Sequence, residues 1–426
     1  MRRTLDINKI KKFLKTLGPG FITGAADDDP SGIGTYSQTG AMFGYSQLWT
    51  AFFSFPFMAF VQEMCGRIGM TTGLGLSGII KRHYSRWILY LAVFLLFFAN
   101  TVNIGANLGA MASSAELIFK IPFLFWLIVI TATSILLEVF ISYKTYAKLL
   151  KYLTFSLFAY IITVFMVKQD WVKIFYSTII PNISFSKEYV LNIVAILGTT
   201  ISPYLFFWQA DEEVEEEIEH HKIVSMGRGK PHITTSDIKK LRLDTILGMF
   251  FSNLIMFFII LTTASTLHVN GINNIETADQ AARALMPFAG EFAFILFALG
   301  IIGTGLLAVP ILAGSASYAI SEAFNWKTGL NRKFSQARSF YLIIAISTIL
   351  GLVVNFLPIK PFQMLYFAAI INGLCAPFLL LLILKIASNK NIMGNNTNPW
   401  ISNIMGWVIF LIMGASAIFL LASNIL

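Results

Sequence analysis

The chain has 426 residues, 56% hydrophobic and only 12% charged, with a formal net charge of +9. A soluble domain carries about a quarter charged residues, so this composition excludes one. The positive charge sits in short clusters between apolar stretches, which argues against a nucleic-acid surface.

Eleven segments are long and apolar enough to span a bilayer, whose hydrocarbon core takes roughly 20 helical residues. They cover 18–41, 46–66, 87–115, 122–142, 149–167, 189–209, 245–267, 290–320, 339–357, 362–384 and 401–424. The basic N-terminus precedes a run with no small-residue cleavage site, so no removable signal peptide is read. Within the first span, Asp27, Asp28 and Asp29 are followed by Pro30, Ser31 and Gly32. A carboxylate at mid-membrane costs at least ~3 kcal/mol, and proline breaks the helix beside it. Acid at a helix break at membrane depth is how a transporter builds a cation site.

The third span carries Asn100, Asn103 and Asn107 but no acid from Trp87 to Ala115, and asparagine cannot exchange protons. Glu63 and Glu138 fall near span ends and read as helix-pairing or interfacial groups. The sixth span is interrupted at Thr199-Thr200-Ile201-Ser202-Pro203-Tyr204, five spans after the first break. Breaks at corresponding positions of two halves point to an inverted repeat with its site between them. The repeats are therefore placed at 17–168 and 188–386, with 400–426 as an appended helix. A hydrophilic connection, 210–244, opens with seven acids between Asp211 and Glu219, and Val214 and Ile218 at helical spacing extend the sixth helix into it. Those acids either draw departing cations or form a solvated face. His220 and His221 read as loop residues. In the tenth span, Asn372 beside Gly373 offers either an ion ligand or an interhelical hydrogen bond. Cys65 and Cys375 suggest no disulfide framework. Walker, dinucleotide and zinc-ligand patterns do not occur.

With the N-terminus inside, 25 of the 31 Lys and Arg fall on the cytoplasmic side and six outside. The positive-inside rule then sets the N-terminus cytoplasmic and the C-terminus outside.

Asp29 is the leading candidate ligand, because it directly precedes the break. Freed carbonyls near Ala26 and Thr199 would add hard oxygen donors. Ser202 either faces Asp29 across the cavity or bonds its own backbone. Asp27 and Asp28 point elsewhere, toward a vestibule.

At these residues the chain resembles the Nramp divalent-metal transporters over nearly its whole length. Gly18-Pro19-Gly20-Phe21 through Asp29-Pro30 is similar to the family's opening, where Asp-Pro-Gly-Asn forms half the metal site. The sixth span resembles the Met-Pro-His half, and 386–394 resembles the exit from the tenth. The resemblance implies an all-α polytopic membrane protein of the LeuT type, with helices 1 and 6 broken at mid-membrane and metal uptake by alternating access. The candidate site is Asp29, Ala26, Ser202, Thr199, Ser31, Gly32 and Asn372, with Asp27, Asp28, Tyr204, Gln209, Asn103 and Asn107 in the vestibule or gate. The chain departs from the pattern at Ser31, Gly32, Ser202, Tyr204 and Gln209, and in having asparagines where the third span carries the family's acidic pair. Those departures resemble the Nramp-related magnesium transporters. The expectation is uptake of Mg²⁺, and also Mn²⁺, partly hydrated and without proton coupling, by a plasma-membrane protein that is not an enzyme. Its partners are divalent ions and lipid, with no cofactor and no nucleic acid, and a monomer is expected. The alternatives are a proton-coupled Mn²⁺/Fe²⁺ symporter, a sodium-coupled organic-solute symporter and a metal sensor.

Overall fold

The computed structural model describes residues 18–141, 153–229, 231–330 and 332–423. The basic residues from Arg2 to Lys15, the start of the expected 149–167 span with Lys144, Lys148 and Lys151, Lys230, and the end of the expected 400–426 segment lie outside them. The described residues are helical, with one isolated β-bridge between Ser225 and Arg228 and no strand.

The first apolar segment is two helices, α1 (Pro19–Asp27) and α2 (Pro30–Phe43). Asp28 and Asp29 leave helical geometry between them, and Pro30, which lacks an N–H, starts the second half. Next come α3 (Trp49–Thr72), closed by left-handed Gly73, and the short α4 (Leu76–His83). After α5 (Arg86–Phe119) and α6 (Phe123–Phe140), a 3₁₀ turn leads into α7 (Phe158–Met166), and α8 (Trp171–Ile179) follows behind an Asp170 cap. The sixth apolar segment is again split, into α9 (Lys187–Thr200) and α10 (Pro203–Glu219), with Pro203 opening the second half. A Thr234–Asp237 capping box starts α11 (Thr235–Thr266). The remaining elements are α12 (Ala278–Ala282), α13 (Met286–Ala289), α14 (Ala293–Ala323), α15 (Arg338–Val354), α16 (Pro361–Ala387), α17 (Lys390–Met393) and α18 (Trp400–Ala422).

Seven described helical runs are long and apolar enough to cross a membrane, against the eleven expected. The halves α1 and α2 are each too short, α3 carries buried Glu63 and Arg67, Arg338–Val354 has 17 residues, and the 149–167 segment is described only from residue 153.

Small residues set the close crossings. The long α11 lies along α1, α2 and α3, while α5 is flanked by α14, α15 and α16. A Cβ at Gly24 would stand 2.3 Å from the Gly248 carbonyl, so α1 and α11 touch backbone to backbone. Likewise a Cβ at Gly198 would lie 2.1 Å from Ala369 O and 2.3 Å from Gly373 N, which brings α9 onto α16. In lipid such contact supplies the packing that hydrophobic transfer cannot.

The ends of the bundle are tied by polar bonds. At the end rich in Lys and Arg, Asp244 accepts from Gly18 N (2.9 Å) and Gly20 N (2.8 Å), pinning the start of α1 to α11. Glu63 there pairs with Arg67 (3.1 Å) and Arg242 (2.9 Å). At the other end, Gln38 Oε1 accepts from Ile275 N (2.8 Å), and Asn192 donates to Thr39 Oγ1 (3.0 Å).

Candidate metal site

Asp29 is the N-cap of α2. Its backbone is extended (φ −71, ψ 169), and its Oδ1 accepts from Gly32 N at 2.7 Å. That bond needs close approach: a Cβ at Gly32 would stand 2.9 Å from Asp27 O. The other oxygen, Oδ2, faces α5, where it accepts from Asn107 Nδ2 (2.9 Å) and Asn103 Nδ2 (3.4 Å). Amide donors stabilise a carboxylate's charge and supply no proton. All three side chains are at most 1% exposed.

Around this carboxylate, several buried oxygens have no hydrogen-bond partner. Among them are Asn103 Oδ1, Asn107 Oδ1 and Asp27 Oδ1, while the Ser31 and Tyr36 hydroxyls lie close to Asp29 and Thr199 respectively. Buried polar atoms without partners are uncommon and call for an explanation such as water or an ion. Tyr36 was not a sequence candidate. It follows Asp29 by seven residues, which returns it to the same face of α2, and that spacing was the available signal.

The second break lies opposite. Ile201 and Ser202 leave helical geometry, and Ser202 opens α10. The Ser202 hydroxyl donates back to Gly198 O and Thr199 O, both at 2.7 Å, so it serves its own helix end. The Thr199 carbonyl is thereby occupied by one donor, and a carbonyl has a second lone pair. Tyr204 links the two breaks, its hydroxyl donating to Ala26 O at 3.1 Å. Tyr36 and Tyr204 both stand within electrostatic reach of the three aspartates.

The other candidates fall into three places. Asp27 and Asp28 turn to α11, where Ser252 Oγ donates to Asp27 Oδ2 and lies 3.3 Å from Asp28 Oδ1. Ser252 was not legible, since a lone serine in an apolar span resembles any packing serine. Gln209 donates to Glu213 Oε1 at 2.9 Å, along α10 and away from the break. Asn372 is fully buried on α16, beside the Gly198–Gly373 crossing, and neither of its amide atoms has a partner. Among the described residues, no group of three or more His, Cys, Asp or Glu is arranged to hold a metal. The breaks thus bring one carboxylate, Asp29, together with neutral oxygens, the kind of donor that hard cations prefer.

The family model described as natural resistance-associated macrophage protein-like, Nramp, matches residues 20–423. A divalent metal cation transporter MntH of Caldanaerobacter subterraneus subsp. tengcongensis is 27% identical, covering 93% of this chain and 90% of that protein. The MntH of Clostridium acetobutylicum is 25% identical over 96% of this chain and 92% of its own length. Among solved structures, the manganese transporter of Eremococcus coleocola superposes with a TM-score of 0.76 at 17% identity, over 99% of this chain and 88% of that one. Mhp1, a nucleobase-cation-symport-1 transporter, gives 0.53 at 12% identity over 96% and 93%. These likenesses place the fold in the LeuT-like class.

Proposed function

Because this chain belongs to the Nramp family of membrane transporters, we propose that it carries divalent metal cations, Mg²⁺ foremost and Mn²⁺ as well, by facilitated entry without proton coupling. The observation that carries this reading is Asp29: a buried carboxylate at the gap between two half-helices, fixed by one backbone amide and two asparagine amides. Beside it, buried oxygens stand without partners. In the proposed site the ion takes Asp29, the carbonyls of Ala26 and Thr199, and the side-chain oxygens of Ser31 and the α5 asparagines, and it keeps several waters. Ser202, Gly32 and Asn372 shape the wall rather than supply charge.

Mg²⁺ fits this set because it sheds water reluctantly and is usually held by one or two carboxylates. Softer transition metals favour imidazole or thioether donors, and the candidate positions contribute oxygens. Asparagine on α5 offers no proton acceptor beside Asp29, which supports uncoupled entry. The driving force is then electrical: a divalent ion gains about 4.6 kcal/mol across 100 mV, at ~2.3 per charge. The reading includes eleven spans, the two repeats, a cytoplasmic N-terminus, the cell membrane as location and a monomer.

A second reading is a proton-coupled Mn²⁺ symporter. It draws on the names of the relatives and on Asp27 and Asp28, which converge on Ser252. Proteoliposomes with a pH dye in the lumen separate the two. Mg²⁺ entry driven by an inside-negative potential with constant lumen pH is expected. Acidification that tracks metal entry would establish the symporter instead.

A further inference from the structure

Away from the breaks, Asp211 on α10 and Glu322 in the last turn of α14 meet against the start of α4. Glu322 is held there by backbone amides: its oxygens accept from Gly75 N (2.9 Å) and Gly78 N (2.8 Å), donors that a helix start leaves free. Asp211 is not held. It is 1% exposed, and neither of its carboxylate oxygens has a hydrogen-bond partner. A Cβ on Gly75 would lie 1.9 Å from Asp211 Oδ1 and 2.6 Å from Glu322 Oε2, so these oxygens are within about 4.5 Å of each other, the sum of those distances. The Gly75 backbone (φ −68, ψ 170) is open to any residue, so the two carboxylates, not the dihedrals, exclude a side chain there. The nearby cations Lys81 and Arg82 offset the charge of Glu322 and not that of Asp211, and their hydrogen bonds go to main-chain carbonyls. Lys81 Nζ donates to the carbonyls of Glu322 (3.3 Å) and Ala323 (2.6 Å), and Arg82 to Gly227 O (3.3 Å). Glu212 and Glu215 add negative charge around Asp211.

Two buried carboxylates this close repel one another unless one takes up a proton or a cation stands between them. Metal–oxygen bonds of about 2.0–2.1 Å for Mg²⁺, or 2.3–2.6 Å for Ca²⁺, bridge oxygens at such a separation. We propose that Asp211 and Glu322 form a second divalent-cation site, separate from Asp29, in which a hard cation ties α10 to α14 and α4. The site lies on the Lys- and Arg-rich side, which the charge sorting makes cytoplasmic, so it takes the ion from the delivered pool. An occupied site clamps the α10 half of the broken segment and slows further entry as the internal ion rises. The identity of the ion, its cytoplasmic source and the effect on entry rest on the transport reading above; the pairing of the two carboxylates does not.

The test is a count of bound Mn²⁺, from the spin-resonance signal of free Mn²⁺, on the full chain in lipid nanodiscs. The chain carries Asp29→Ala, which removes the first proposed site. That chain is expected to retain one Mn²⁺. Adding Asp211→Asn should weaken its binding by roughly tenfold or more, since even outer-shell changes cost that much. Gly75→Ala, which fills the gap between the carboxylates, should do the same, and Glu322→Gln replaces either variant that fails to insert. An Asp29→Ala chain that binds no Mn²⁺, or binding untouched by these changes, overturns the proposal. A wild-type chain that carries no metal leaves this count unaffected, so the two readings fail separately.

Discussion

At the scale of single residues, Asn107 is the side-chain donor that best fixes Asp29, at 2.9 Å against 3.4 Å for Asn103. Asn107→Ala should therefore raise the half-saturating Mg²⁺ concentration about 10–100-fold, the usual cost of losing a ligand's orienting partner. Uptake kinetics in proteoliposomes check this, and an unchanged half-saturation would remove Asn107 from the site. Ser202→Met places a thioether at the second break and frees the carbonyls of Gly198 and Thr199, which the hydroxyl now serves. The expected outcome is a shift in relative uptake from Mg²⁺ toward Mn²⁺ and Cd²⁺. An unaltered Mg²⁺:Cd²⁺ ratio would place Ser202 outside the ion's reach. Asp29 was legible in the sequence because a carboxylate in an apolar run has no cheap explanation. The direction of the Ser202 hydroxyl was not, since it is decided by which carbonyls the local turn leaves free. Likewise the partnership of Ser252 with Asp27 depends on how α11 rotates against α1, and a span that is apolar nearly all round does not encode that rotation.

At the scale of elements, both breaks follow one recipe: two residues leave helical geometry, the second of them polar, and a proline opens the next half-helix. That recipe is local, so it was readable as Asp29-Pro30 and Ser202-Pro203. The short helices α4 and α8 were missed, because apolarity is the signal for a span and these segments are too short to carry it. The acids of α10 were also ambiguous in sequence. Asp211, Glu213, Glu215 and Glu217 prove to be buried, so a wholly solvated face is corrected by the packing of α10 against α3 and α14. Position of the half-helices rests on backbone contact. Gly24→Ala drives a methyl against the Gly248 carbonyl, which is backbone and cannot swing aside. Overpacking of this kind costs about 1–3 kcal/mol. The variant should lower the thermal midpoint of the detergent-solubilised chain, and an unchanged midpoint would contradict the close crossing of α1 and α11.

For the molecule as a whole, the sorting of Lys and Arg and the placing of acids at the breaks act together. On the proposed reading, positive clusters orient the chain in the bilayer, and the buried carboxylate meets the ion where the membrane potential can act on it. In the proposed mechanism, neutral oxygens around Asp29 hold a hydrated ion loosely enough to let it leave, and Asp29 supplies the charge without which a divalent ion would not enter. Everything proposed for transport depends on that one side chain. Saturable Mg²⁺ uptake into proteoliposomes at an imposed inside-negative potential, compared between wild type and Asp29→Ala at equal reconstituted amounts, tests it most directly. The account predicts saturable, voltage-driven entry with wild type and leak-level flux with Asp29→Ala. Equal saturable uptake by both would contradict it.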